Sequence, residues 1–179
     1  FGSYFSGVFD GDGHKISGLT VVPAEEGEGY DYKRVVAGLF GTVRNAEIRD
    51  LTLDETCRVE VSGTYYFSFG DLDLELGAIA ASGYESCFVR CVNRADVVVT
   101  SVIWGSETHE TICSVSGIVA HADDMKLIGC SNEGHMTVDV HSDVVDIRVS
   151  GLVGRCGPVY GKENRIVSCT NRGNIFVSG

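Results

Sequence analysis

The strongest constraint on how this chain folds is that it repeats itself. Four times a glycine opens a short apolar run: Gly38-Leu39-Phe40-Gly41, Gly77-Ala78-Ile79-Ala80, Gly117-Ile118-Val119-Ala120 and Gly151-Leu152-Val153-Gly154. The last three are followed by a Cys-x-Asn-x-(Gly/Ala) turn, at Cys91-Val92-Asn93-Arg94-Ala95, Cys130-Ser131-Asn132-Glu133-Gly134 and Cys169-Thr170-Asn171-Arg172-Gly173. These cysteines recur every 39 residues. A fixed period of this size marks stacked units, none of which buries its apolar face alone.

A second register tightens the first. Ile16 and Leu19, Ile48 and Leu51, Phe88 and Cys91, Leu127 and Cys130, and Ile166 and Cys169 form pairs whose first members step by 32, 40, 39 and 39 residues. The surrounding segments are short and turn-bounded, with no sustained 3.6-residue stripe, so they read as strands. Leu72, Leu74 and Leu76 alternate with Asp71, Asp73 and Glu75, the pattern of a strand with one wet face. Val138 and Val140, then Ile147 and Val149, flank His141-Ser142-Asp143, which predicts a hairpin or a bent coil corner. Gly63 and Gly105 occupy comparable turn positions in the earlier units.

At the Asn-x-Gly corner both residue types tolerate positive φ, and stacked asparagines are also placed to hydrogen-bond along the array. The segment between the Gly motif and the Leu/Cys strand reads as a loop of variable length: 13 residues from Gly117 to Cys130, 14 from Gly77 to Cys91 and 18 from Gly151 to Cys169. Insertions of this kind gather on one face of a solenoid. The stretch from Pro23 to Arg34 is the largest departure from the period. The fold expected is all-β: a parallel β-helix (β-solenoid) of about four to five coils, with residues 1–179 as a single domain. The chain reads as a fragment of a longer repeat protein, flanked by further repeats, with neither end patterned as a cap.

Composition narrows the function classes. The chain has 179 residues, 44% of them hydrophobic, with two prolines and 23 glycines, which suits tightly turned β structure with a real core. It has no apolar run near the ~18 residues of a membrane span and no signal peptide. A net charge of −11 opposes nonspecific binding to nucleic acid or to an anionic membrane. Seven cysteines make an odd count, and Leu19 and Leu51 stand where later units have cysteine. A position that accepts Leu or Cys is a small apolar core site. No Cys-x-x-Cys pair is present, so no zinc site is expected.

The opening segment, Phe5-Ser6-Gly7-Val8-Phe9-Asp10-Gly11-Asp12-Gly13-His14-Lys15-Ile16-Ser17-Gly18-Leu19, resembles that of bacterial surface proteins carrying GLUG-type repeats. The Gly-Leu-Phe-Gly and Gly-Leu-Val-Gly runs and the Cys-x-Asn-x-Gly turns are similar to the repeats that follow it in those proteins. The resemblance implies a right-handed parallel β-helix in a large secreted or wall-attached protein, and such repeats also occur beside IgA-peptidase-type metalloprotease domains. Ala78, Ala80 and Ala95 depart from the pattern. The resemblance carries no catalytic residues with it.

Chemistry is sparse. Asp10-Gly11-Asp12-Gly13-His14 starts like a calcium loop, but Val21 stands where the loop's closing glutamate is needed, so it reads as a glycine turn. Glu107-Thr108-His109-Glu110 lacks the His-Glu-x-x-His arrangement and reads as a solvated tip. His121-Ala122-Asp123-Asp124 places two carboxylates in the variable segment, where a polysaccharide-cleaving β-helix enzyme would need them. Tyr30, Tyr32, Tyr65, Tyr66, Trp104 and Tyr160 fall outside the core register. They read either as faces for stacking on sugar rings or protein, or as rings packed beneath long loops.

The function expected is a non-catalytic structural or adhesive module of a bacterial surface or secreted protein, extracellular or wall-attached, binding a host glycan or protein. No cofactor, metal, nucleic acid or membrane insertion is expected. The alternatives are a polysaccharide-active β-helix enzyme and an accessory domain of a secreted metallopeptidase. Fold alone does not choose among them.

Overall fold

The structure is a computed structural model that describes residues 3–26, 32–66, 71–104, 111–142, 145–157 and 163–179. It is a parallel β-solenoid: 23 strands and no helix among the described residues, arranged as four sheets that run along the stack. Each circuit visits the sheets in one order, called here D, A, B and C.

An opening partial coil supplies β1 (Phe5–Asp10) to sheet A, β2 (Lys15–Ile16) to B, β3 (Thr20–Val21) to C and β4 (Ala24–Glu26) to D. Coil 1 follows with β5 (Tyr32–Ala37) in D, β6 (Phe40–Arg49) in A, β7 (Thr52–Leu53) in B and β8 (Arg58–Tyr66) in C. Coil 2 is built from β9 (Asp71–Gly77), β10 (Ala80–Tyr84) with β11 (Cys87–Val89), β12 (Val92–Asn93) and β13 (Asp96–Trp104). Coil 3 has β14 (Thr111–Ser116), β15 (Val119–Asp123) with β16 (Lys126–Ile128), β17 (Ser131–Asn132) and β18 (Met136–His141). Coil 4 has β19 (Val145–Ser150), β20 (Val153–Cys156) with β21 (Arg165–Val167), β22 (Thr170–Asn171) and β23 (Ile175–Ser178). β18 and β19 belong to different sheets, so the polar turn between them is a coil corner and not a hairpin.

In-register stacking turns the sequence period into columns of like residues. Ile48 pairs with Phe88, Phe88 with Leu127 and Leu127 with Ile166, and the first three are buried. Val61, Val99 and Val138 form another buried column. Each such side chain contributes roughly 1.5–3 kcal/mol on burial. The cysteine column follows the same logic with one addition. Cys91, Cys130 and Cys169 direct their thiols at the carbonyls of Ile48, Phe88 and Leu127 in the preceding coil, each at 3.4 Å. A thiol fills the leucine position and also donates weakly to the neighbouring coil.

The corners correct two expectations. The positive φ expected at the Asn-x-Gly turn falls instead on the residue before each Leu or Cys: Gly18 (67°), Asp50 (51°), Arg90 (53°), Gly129 (63°) and Ser168 (55°). One left-handed residue turns the chain sharply from sheet A into the two-residue strand of sheet B. A second left-handed column, Asn45, Glu85 and Asp124 at 50°, 49° and 52°, kinks sheet A in the middle. In coils 2 and 3 the supposed variable loop is therefore strand on both sides of one kinked position. Gly63 likewise lies inside β8 and not in a turn.

The asparagines do form the ladder. Asn93 Nδ2 donates to Asn132 Oδ1 at 2.8 Å, and Asn132 Nδ2 donates to Asn171 Oδ1 at 2.7 Å. Each Nδ2 also bonds the carbonyl two residues on, at Ala95, Gly134 and Gly173. The side chain of Asn132 occupies the space a Cβ on Gly117 would need, its Oδ1 2.5 Å from that point, and Asn171 does the same at Gly151. The two recurrent motifs are thus halves of one packing device across the coil. Gly134 and Gly173 are glycine because a Cβ there would collide with the Ala95 and Gly134 carbonyls.

Candidate functional site

The aromatic residues singled out from sequence divide three ways. Tyr65 is 8% exposed and belongs to the core, which removes it from any surface. Strand alternation within β8 continues past its pairing with β3, so Tyr65 joins Val59 and Val61 inside. Tyr66 and Trp104 are register partners at the ends of β8 and β13, and Tyr32 opens β5 as the partner of Asp71. Backbone topology therefore brings these three to one corner, where sheet C hands over to sheet D. Tyr30 and Tyr160, the side chains of Tyr32, Tyr66 and Trp104, and the whole Glu107–Glu110 stretch with Gly105 lie outside the described residues.

A charged cluster that sequence reading missed fills the corner between sheets D and A. Glu75 lies on the face of β9 opposite Leu74 and Leu76, yet its side chain is only 3% exposed. Its Oε2 accepts from Arg34, with Nε at 2.9 Å and Nη2 also bonded, and from the Ser82 hydroxyl. Its Oε1 accepts from His121 Nδ1 at 2.9 Å and from Arg155 Nη2 at 3.2 Å. Arg155 also lies 3.7 Å from Asp73, and the His121 ring meets Tyr84 edge-on at 5.6 Å. Coils 1 to 4 all contribute.

Burial pushes the Glu75 carboxyl up. The His121 hydrogen bond and the Arg34 charge outweigh it and hold the pKa at about 2. Both carboxylate oxygens are saturated by donors, so the group is a clasp and has no lone pair left for proton abstraction. The signal that would have found it was the 39-residue spacing itself, which puts Ser82, His121 and Arg155 in one column.

His121 and Asp123 lie in β15 and not in a loop, with Asp123 buried as the register partner of Tyr84. Asp124 occupies the kink and lines an open groove of about 470 Å³ on the outer side of sheet A, with Asn45, Glu47, Glu85, Cys87 and Lys126. The two neighbouring carboxylates thus belong to different surroundings. Asp10 to His14 form a tight turn: Asp12 N–H bonds Asp10 Oδ1 at 2.9 Å, and His14 N–H bonds the Gly11 carbonyl at 2.7 Å.

All seven cysteines are free: Cys57, Cys91, Cys113 and Cys130 are buried, Cys87 and Cys169 half-buried, and Cys156 exposed. Burial pushes the Cys113 thiol up to about 12. Among the described residues no group of three His, Cys, Asp or Glu side chains is placed to hold a metal ion, and no helix is long and apolar enough to cross a membrane. No protein-family model, curated protein or solved structure matches this chain.

Proposed function

We propose that this chain is a non-catalytic structural and adhesive module of a bacterial secreted or wall-attached protein of the GLUG-repeat type. It binds a host glycan or glycoprotein at the corner between sheets C and D. The observation that carries the reading is the pairing of Tyr66 with Trp104, with Tyr32 at the start of the adjoining sheet. Neighbouring parallel strands lie about 4.8 Å apart, so residues in register offer a repeating platform to an extended ligand. The burial and saturation of Glu75, the best-organised titratable group among the described residues, add support for a module without turnover.

The test is binding to an array of immobilised neutral and sialylated oligosaccharides and to mucin glycoprotein. Retention is expected, with Trp104→Ala and Tyr66→Ala each weakening it about tenfold while thermal unfolding is unchanged. Release of reducing ends from any of these ligands overturns the non-catalytic reading, and full binding by both variants overturns the assignment of the corner.

A further inference from the structure

The first coil closes the stack at its own end, by means the later coils lack. In sheet D, β4 runs antiparallel to β5, pairing Ala24 with Val36 and Glu26 with Arg34. Every other strand pair among the described residues is parallel. The strand carries Glu25 and Glu26, and edge charges discourage further pairing. In sheet A the outermost strand, β1, slips register between Phe5 and Gly7, and Gly7 takes a φ of 129°. A bulge of this kind twists an edge away from a new partner. Sheet C ends on a two-residue strand, β3, where β8 and β13 run for nine residues.

The core is closed there as well. The rings of Phe5 and Phe9 lie 5.1 and 5.5 Å from that of Phe40, tilted and edge-on, and all three pack against the buried cluster. Coil 4 shows the contrast. Ile175 and Val177 continue the columns of the buried Met136 and Val138 but are 39% and 56% exposed, with no plug over them.

We infer that residues 4–26 are a cap that stops the solenoid from accepting strands on the coil 1 side, so that copies of this chain cannot stack end to end into filaments. The cap is defined by how these residues lie on the stack, whatever else the polypeptide carries. A head-to-tail contact between solenoids is heterologous and does not close, so without a cap it propagates into fibres. The inference does not depend on what the chain binds.

The test compares sedimentation and negative-stain electron microscopy across a hundredfold range of concentration, with circular dichroism as the check on folding. The full-length chain is expected to form no filaments. The triple variant Gly7→Val, Glu25→Thr, Glu26→Thr regularises the bulge and removes both edge charges. A Cβ at position 7 meets nothing within 4 Å, so the change acts through φ alone. It is expected to form filaments that lengthen with concentration, and adding Ile175→Lys and Val177→Lys is expected to abolish them. Should the triple variant lose its β-sheet signal, the double variant Glu25→Thr, Glu26→Thr decides, with larger assemblies than the parent expected. Filaments from the unaltered chain overturn the inference, as does a folded variant that sediments like its parent.

Discussion

Glu75 shows how much a single side chain carries across coils. A carboxylate this buried survives because two guanidiniums, an imidazole and a hydroxyl converge on it, and removing one partner of such a set costs about 3–5 kcal/mol. Its pKa is depressed from the ordinary 4.5 to about 2. The stabilisation is therefore complete above about pH 4.5 and is lost as pH falls toward 2, an effect of about 3 kcal/mol. Urea unfolding of the parent and of Glu75→Gln should differ by about that amount at neutral pH and converge by about pH 2. A gap that is independent of pH would contradict the assigned charge state. The repeat motifs make a second residue-scale claim. Asn132→Ala strands three buried hydrogen-bonding groups, and Gly117→Ala drives a methyl into the same amide. Each should lower stability by roughly 2–4 kcal/mol in chemical denaturation. Asn132→Leu should cost less than Asn132→Ala, because leucine already fills this column at Leu53 and leaves no hole.

At the scale of elements, the corners decide where strands stop. The left-handed column contains Gly18 and Gly129 but also Asp50, Arg90 and Ser168. A residue other than glycine held at positive φ costs of order 1 kcal/mol. Ser168→Gly should therefore raise the unfolding midpoint and Gly129→Val lower it, each by the equivalent of about 1 kcal/mol or more. Equal and null effects would show that this corner is not left-handed in solution. Outside the core, charge alternates along one edge, with Arg94 Nε 2.9 Å from Glu133 and Arg172 3.6 Å from the same carboxylate. These pairs are solvent-exposed and add tenths of a kcal/mol each, so they guide register more than they stabilise. The kink in sheet A, invisible as a motif because Asn45, Glu85 and Asp124 share no residue type, is what separates β10 from β11 and β15 from β16.

At the scale of the molecule, thiol reactivity reads out the stack. In the folded protein a thiol reagent should modify Cys156 first, then Cys87 and Cys169 slowly, and all seven cysteines only in denaturant. Rapid modification of Cys91 or Cys130 would mean that the coils do not pack as described. The sequence by itself determined the period, the strand character and the coil architecture, because stacking in register demands the same residue type at the same step and leaves that demand visible. It also placed Leu51, Cys91 and Cys130 inside and the asparagines one above another. Only the tertiary structure decided which residue turns left-handed, that Tyr65 faces inward, and that Arg34, Glu75, His121 and Arg155 meet. The physical reason is that a period records what adjacent coils share. The Glu75 clasp joins unlike residues from four coils across a corner, and no repeated letter marks it.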